Sequence, residues 1–142
     1  MIKAALSIVE KAFRDKTDKA GKPYVNHLYR VRERVGKQEA STPELETVAL
    51  LHDLLEDCPE WTADKLREHF PENIVGAVVC LTHRDNETYD DYLIRVLSNE
   101  LATRVKRADL EDNMDVSRLN ELTEKDFKRL QKYLAAYQRI GR

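Results

Sequence analysis

The stretch that most constrains the fold is Val48-Ala-Leu-Leu-His-Asp-Leu-Leu-Glu-Asp57. Val48, Leu51 and Leu55 recur at helical spacing, and the run is apolar enough to predict a buried helix. Embedded in it are His52, Asp53, Glu56 and Asp57. Polar groups on so apolar a helix are costly to bury unless something pairs with them. On one continuous helix His52 and Glu56 share a face, one turn apart, and Asp53 and Asp57 do the same. One imidazole and three carboxyls then crowd a small sector beside the core. A divalent cation is the simplest partner that satisfies them all.

The remaining chain also reads as helices. Its 142 residues suit a single domain, 1–142, with one substantial core. Only 4 Gly and 4 Pro punctuate it, which favours long helices over many short strands. Residues 2 to about 14 form an apolar stripe through Leu6, Val9 and Phe13. After a polar loop, Pro23 can open a helix running to about residue 35, with Val25, Leu28 and Val31 inward and Arg30, Arg32, Glu33 and Arg34 mostly outward. Thr42-Pro-Glu-Leu45 starts the central helix, which should stop near Cys58-Pro59. Thr62 caps a short helix, and Pro71 opens another with Ile74, Val75, Val78, Val79 and Leu81 buried. That Ile/Val run could instead be a strand, but no second strand-like run exists to pair with it. Thr88-Tyr-Asp-Asp91 opens a helix, residues 101 to about 114 form the next, and Thr123-Glu-Lys-Asp126 opens the last. Phe127, Leu130, Leu134 and Tyr137 are the expected inward face of that last helix. The sum is an all-α bundle of about seven or eight helices.

Several function classes fall away. Lys+Arg 24 against Asp+Glu 26 leaves a net charge of -2, so no basic field points to nucleic acid. No apolar run approaches the ~20 residues of a membrane span. The N-terminus is too soon charged for a signal peptide. Cys58 and Cys80 form no Cys-x-x-Cys pair and read as reduced thiols of a cytoplasmic protein. The oligomeric state is left open.

Two further segments can complete a site. In Arg104-Val-Lys-Arg-Ala-Asp-Leu-Glu-Asp-Asn113, Lys106 and Asn113 lie on the same helical face as Asp109. His27 is flanked by Val25 and Leu28. Helices carrying His27, His52-Asp53 and Asp109 could converge to offer two imidazoles and two carboxylates. Mixed nitrogen and oxygen ligands suit Mn²⁺, Fe²⁺ or Zn²⁺ more than Mg²⁺ or Ca²⁺. Such an ion lowers the pKa of water and neutralises charge on a phosphoryl group. Glu56 or Asp57 could then take or relay the proton. Lys19, Lys22, Lys106 and Arg84 could bind phosphate oxygens.

The order His27, His52-Asp53, Asp109 resembles the HD-domain metal-dependent phosphohydrolases. Gly21-Lys-Pro-Tyr-Val-Asn-His27, Ala49-Leu-Leu-His-Asp-Leu-Leu-Glu-Asp57 and Val105-Lys-Arg-Ala-Asp-Leu-Glu-Asp-Asn-Met114 resemble one branch, the hydrolase domain of the RelA/SpoT alarmone enzymes and their small relatives. The resemblance implies an HD-domain helical bundle in which His27, His52, Asp53 and Asp109 hold one metal ion, most often Mn²⁺. It implies that Glu56 and Asp57 are the catalytic acidic pair orienting the attacking water. Lys19, Lys22, Tyr24, Lys106 and Asn113 would face a small nucleotide substrate. The implied reaction is hydrolysis of a phosphate ester, in that branch removal of the 3′-pyrophosphate from (p)ppGpp. Alarmone hydrolases usually carry Arg-Lys ahead of the Gly-x-Pro-Tyr turn; here the pair reads Asp18-Lys19. The segment between Leu81 and Val105 is also short by comparison.

Plainer readings stand beside these. His52-Asp53 alone reads as a buried ion pair, and Asp109 alone as a salt bridge to Lys106. Asp90-Asp91 reads as a helix-start pair, Asp112 and Asp115 as solvated, and His83 as a loop residue able to reach a pocket rim. The competing functions are hydrolysis of another nucleotide (a dNTP, a nucleoside monophosphate or NADPH), a non-catalytic nucleotide sensor, and a helical interaction module.

Overall fold

The structure, a computed structural model, describes residues 1–141. Among these there are nine helices: α1 (Ile2–Ala12), α2 (Val25–Gly36), α3 (Pro43–Leu51), α4 (Leu54–Asp57), α5 (Ala63–Arg67), α6 (Glu72–Cys80), α7 (Tyr89–Leu97), α8 (Glu100–Asn113) and α9 (Glu124–Ile140). The Ile/Val run is helix α6, begun by Pro71 in an extended conformation. The only β-type pairing among the described residues is an isolated bridge between Thr17 and Pro23. Among the described residues no helix is long and apolar enough to cross a membrane.

Two helices form the axis of the bundle. Helix α3 packs against α1, α2, α6 and α8, while α8 also meets α2, α6, α7 and α9. In α3, Leu45, Thr47, Val48, Ala49, Leu50 and Leu51 are all buried. A helix apolar all round is stable only when neighbours surround it. Thr42 caps its start by accepting from the Leu45 N–H at 3.2 Å. Helix α8 differs: Ala102, Val105, Ala108 and Leu110 are buried, but so are Lys106, Asp109 and Asp112.

The single helix anticipated through residue 57 is two. Helical pairing breaks at His52 and Asp53, and Asp53 takes φ -99, ψ -2 before α4 resumes. That backbone conformation lies between the main wells and recurs at active sites. Just past the break the Asp53 carboxylate accepts from the hydroxyl of Tyr24, at the start of α2, at 2.7 Å. Pro23 does not open α2 either. It closes a turn in which Gly21 has φ +79 and Asp18 accepts from the N–H groups of Ala20 and Lys22, both at 2.9 Å.

The last helix keeps only part of its expected apolar stripe, the half-buried Leu130 and Tyr137. Phe127 and Leu134 are exposed at 58% and 42%, while Ala136 and Ile140 are buried and Tyr133 and Tyr137 pack against the core. Its capping box is complete: the Thr123 hydroxyl accepts from the Asp126 N–H, and Asp126 accepts from the Thr123 N–H at 2.8 Å. Thr88 accepts from the Asp91 N–H at 3.1 Å.

Candidate metal centre

Three helices bring His27, His52 and Asp109 together in the buried interior. One ligand atom from each lies within 4.8 Å of the others. Asp109 Oδ1 is 2.9 Å from His27 Nε2 and 3.3 Å from His52 Nε2. Asp53 adjoins this set, with Oδ2 at 3.2 Å from His52 Nε2 and 3.6 Å from His27 Nε2.

The far side of each ring fixes which nitrogen is free. His52 Nδ1 is 2.6 Å from the Ala49 carbonyl, which can only accept, so Nδ1 carries the proton. His27 Nδ1 donates to Asp112 Oδ2 at 2.7 Å. Both Nε2 atoms therefore face the Asp109 carboxylate as prospective ligands. Outer acceptors on ligating histidines have this role in metal sites, where they set tautomer and ring orientation. The donor set of two imidazole nitrogens and nearby carboxylate oxygens fits a borderline divalent ion.

The electrostatics are those of a charged cluster in a dry place. Burial pulls the His27 pKa down, but hydrogen bonds to Asp109 and Asp112 prevail and raise it to about 10. Burial likewise works against ionised Asp109, yet Lys106 and then the two histidines hold its pKa well below the usual carboxylate range. Lys106 Nζ donates to Asp109 Oδ2 at 2.9 Å, and Asn113 Nδ2 to Oδ1 at 3.2 Å. The shared face of Lys106, Asp109 and Asn113 is thus a fact of the fold. The Tyr24 hydroxyl donates to Asp53 Oδ2 at 2.7 Å.

A cavity of about 530 Å³ opens over these groups. Lys19, Tyr24, His27, His52, Asp53, Glu56, Lys106, Asp109 and Asn113 all line it. Lys22 and Asp57 do not. Lys22 spends its backbone N–H on the Asp18 turn. Glu56 is anchored at the wall, where Oε1 accepts from the His83 N–H at 2.8 Å. Behind it, burial first, then Asp53 and Glu56, push the Asp57 pKa up to about 6. His83 reaches the cavity as expected of a rim residue.

Asp112 corrects the sequence reading. Expected in solvent, it is 1% exposed and pairs with His27. Arg30, placed on an outward charged face, donates to it from Nε at 2.9 Å. Arg34 and Arg118 approach the same carboxylate at 3.7 and 3.6 Å. Its place three residues after Asp109, on the same side of the helix, was the available signal. Tyr89, Arg129, Lys132 and Tyr133 also line the cavity without any motif to mark them.

No protein-family model matches the chain, and no curated protein matches its sequence. A solved structure does match: a metazoan ortholog of SpoT, reported to hydrolyse ppGpp and to play a role in starvation responses. The TM-score is 0.78 over 98% of this chain and 84% of that one, at 20% identity. The two share one all-helical fold. In this fold, three helices deliver the buried His/Asp cluster to the floor of the cavity.

Proposed function

We propose that the chain is a metal-dependent phosphohydrolase acting on a small nucleotide phosphate ester, with (p)ppGpp the leading substrate. One observation carries the reading: both imidazoles are anchored through Nδ1, so that both Nε2 atoms converge with the Asp109 carboxylate. A structural role alone gives no reason to hold two rings and an acid this way in the interior. The shared fold with a SpoT ortholog supports the substrate class.

His27, His52 and Asp109, with Asp53 beside them, would hold one divalent ion, Mn²⁺ in the first instance. The ion supplies charge neutralisation on phosphoryl oxygens and a more acidic water. The chain's own groups do the rest. Tyr24 holds the Asp53 carboxylate in place, and the His83 N–H fixes Glu56 at the wall, positioned to orient the attacking water. Asp57, pushed up to about 6, is suited to accept the proton relayed from that water near neutral pH. Lys19 and Asn113 face the substrate from the wall. The cavity volume suits a nucleotide-sized ligand. Asp18, where alarmone hydrolases carry Arg, is used by the turn and offers the nucleotide no cation. Two free cysteines, Cys58 and Cys80, agree with a cytoplasmic setting.

The test is a panel of phosphorylated nucleotides incubated with chelator-stripped protein to which Mn²⁺, Mg²⁺ or Zn²⁺ is restored. Pyrophosphate release from ppGpp, lost in Asp53→Ala, is the expected result. Orthophosphate release from a monophosphate would move the substrate elsewhere within the class. Equal turnover by Asp53→Ala would overturn the metal mechanism.

A further inference from the structure

Among the described residues two buried side-chain oxygens lack a hydrogen-bond partner, Ser41 Oγ and the Tyr89 hydroxyl. Tyr89 lines the cavity and Ser41 does not. A buried phenol normally finds a partner, and one that does not calls for a reason. Burial raises the Tyr89 pKa, so the group keeps its proton and is a donor waiting for an acceptor.

A second observation comes from the opposite helix. The cavity wall carries the cations Lys19, Arg30, Lys106, Arg118, Arg129 and Lys132. Arg30 and Arg118 pair with Asp112, Lys106 with Asp109, and Arg129 with Asp126. Among the described residues Lys19 and Lys132 alone of the six have no carboxylate. Lys132 Nζ instead sits 4.0 Å from the centroid of the Tyr89 ring. An unneutralised ammonium and an unsatisfied hydroxyl therefore occupy one spot on the wall. A cation over an aromatic face is held weakly enough at an exposed position to be drawn off by an anion.

We propose that Tyr89 and Lys132 form an anion subsite of this cavity, in which the Tyr89 hydroxyl donates to a phosphate oxygen of the ligand and the Lys132 ammonium neutralises it. The pair extends ligand recognition to the start of α7 and the middle of α9. As a specificity device for hydrolysis it rests on the function proposed above; as a phosphate-binding site it does not. It favours ligands with a phosphate group besides the one at the metal centre over nucleoside monophosphates.

Two measurements separate these ideas. The first is calorimetric titration of inorganic phosphate into Mn²⁺-saturated protein, for wild type, Tyr89→Phe and Lys132→Gln. Tyr89→Phe keeps the ring and its packing, and thermal melts check that both variants fold. Loss of one hydrogen bond to a charged group should weaken phosphate binding roughly tenfold or more. The second is the nucleotide panel, where each variant should raise KM for a doubly phosphorylated nucleotide more than it lowers kcat. Weakened phosphate binding in a protein that hydrolyses nothing would uphold the subsite and sink the hydrolase. Phosphate affinity equal in all three proteins, or absent from wild type, would overturn the subsite even where hydrolysis is robust.

Discussion

Asp112→Asn is the sharpest probe of how the metal centre is held. The side chain is 1% exposed and accepts from His27 Nδ1 at 2.7 Å and from Arg30 Nε at 2.9 Å. Asparagine keeps the shape and removes the charge. The His27 bond is dry on both sides, and a bond of this charged kind contributes about 1.5–3 kcal/mol. The Arg30 side chain is 28% exposed and regains water when its partner goes, so its share is nearer ~0.5 kcal/mol. The amide cannot accept from both partners at once, which places the loss at about 2–3 kcal/mol for the metal-free protein. Asp112→Ala leaves the buried His27 Nδ1–H with no acceptor and should cost about 3–5 kcal/mol.

The effect has a pH signature. Against the pull of burial, His27 and Arg30 hold the Asp112 pKa down to about 2 from the ordinary 3.8. A carboxyl with a depressed folded-state pKa stabilises the fold above its unfolded value and loses that contribution as pH falls through the folded one. The gap between wild type and Asp112→Asn should be full at neutral pH and shrink between about pH 4 and pH 2. Urea melts of chelator-treated protein at a series of pH values measure it. Metal titration should show affinity lower by about 10–100-fold, since the lost acceptor fixed the ligating tautomer. Equal melting midpoints at pH 7 together with equal metal affinity would refute the account of Asp112 as the anchor of His27. Asp115→Asn is the control. Asp115 is 36% exposed and pairs with Arg118, so its loss should stay below about 1 kcal/mol.

Metal binding should release protons, because His27 is held at about 10 in the metal-free site and must give up its Nε2 proton to ligate. Calorimetry at pH 7 in two buffers of different ionisation enthalpy reads this directly, and identical heats would contradict it. Apparent metal affinity should therefore rise with pH through the neutral range. Tyr24→Phe removes the donor that fixes Asp53 and should weaken metal binding by about tenfold, with a melting temperature close to wild type. Unchanged affinity would mean that Asp53 needs no such support. Thr123→Ala breaks the capping box of α9 and should destabilise the protein by about 1 kcal/mol, read as a shift in denaturation midpoint. No shift would show that α9 is held by its packing on α7 and α8 alone.

What the sequence made legible divides along a physical line. Where a helix buries against apolar neighbours, spacing was enough: of the first stripe Val9 and Phe13 are buried and Leu6 packs half-buried against the core, and α6 turns Ile74, Val75 and Val78 inward. Capping chemistry located the starts of α3, α5, α7 and α9, because a hydroxyl accepting from a backbone N–H three residues on is a local event. The break at His52-Asp53 was not legible, since nothing in the apolar run disfavours helix there. What opens it is tertiary, the Tyr24 hydroxyl and the two imidazoles around the Asp53 carboxylate.

The same contrast explains the inward faces of α8 and α9. A stripe reading assumes that inward means apolar. Helix α9 lies over a charged cavity, so Arg129, Lys132 and Tyr133 turn toward it, and Phe127 and Leu134 are left outside. Asp112 was assigned to solvent on the same assumption, although it is among the most buried charged groups of the chain. Both departures lie around one cavity, where polar groups are buried against each other and not against water. Burial of unpaired charge is too costly to occur without a compensating use. A helix face whose hydrophobic register fails while its polar residues point inward is therefore a pointer to a site in its own right, and on α9 it points to Tyr133, Arg129 and the Lys132–Tyr89 contact, which no motif had marked.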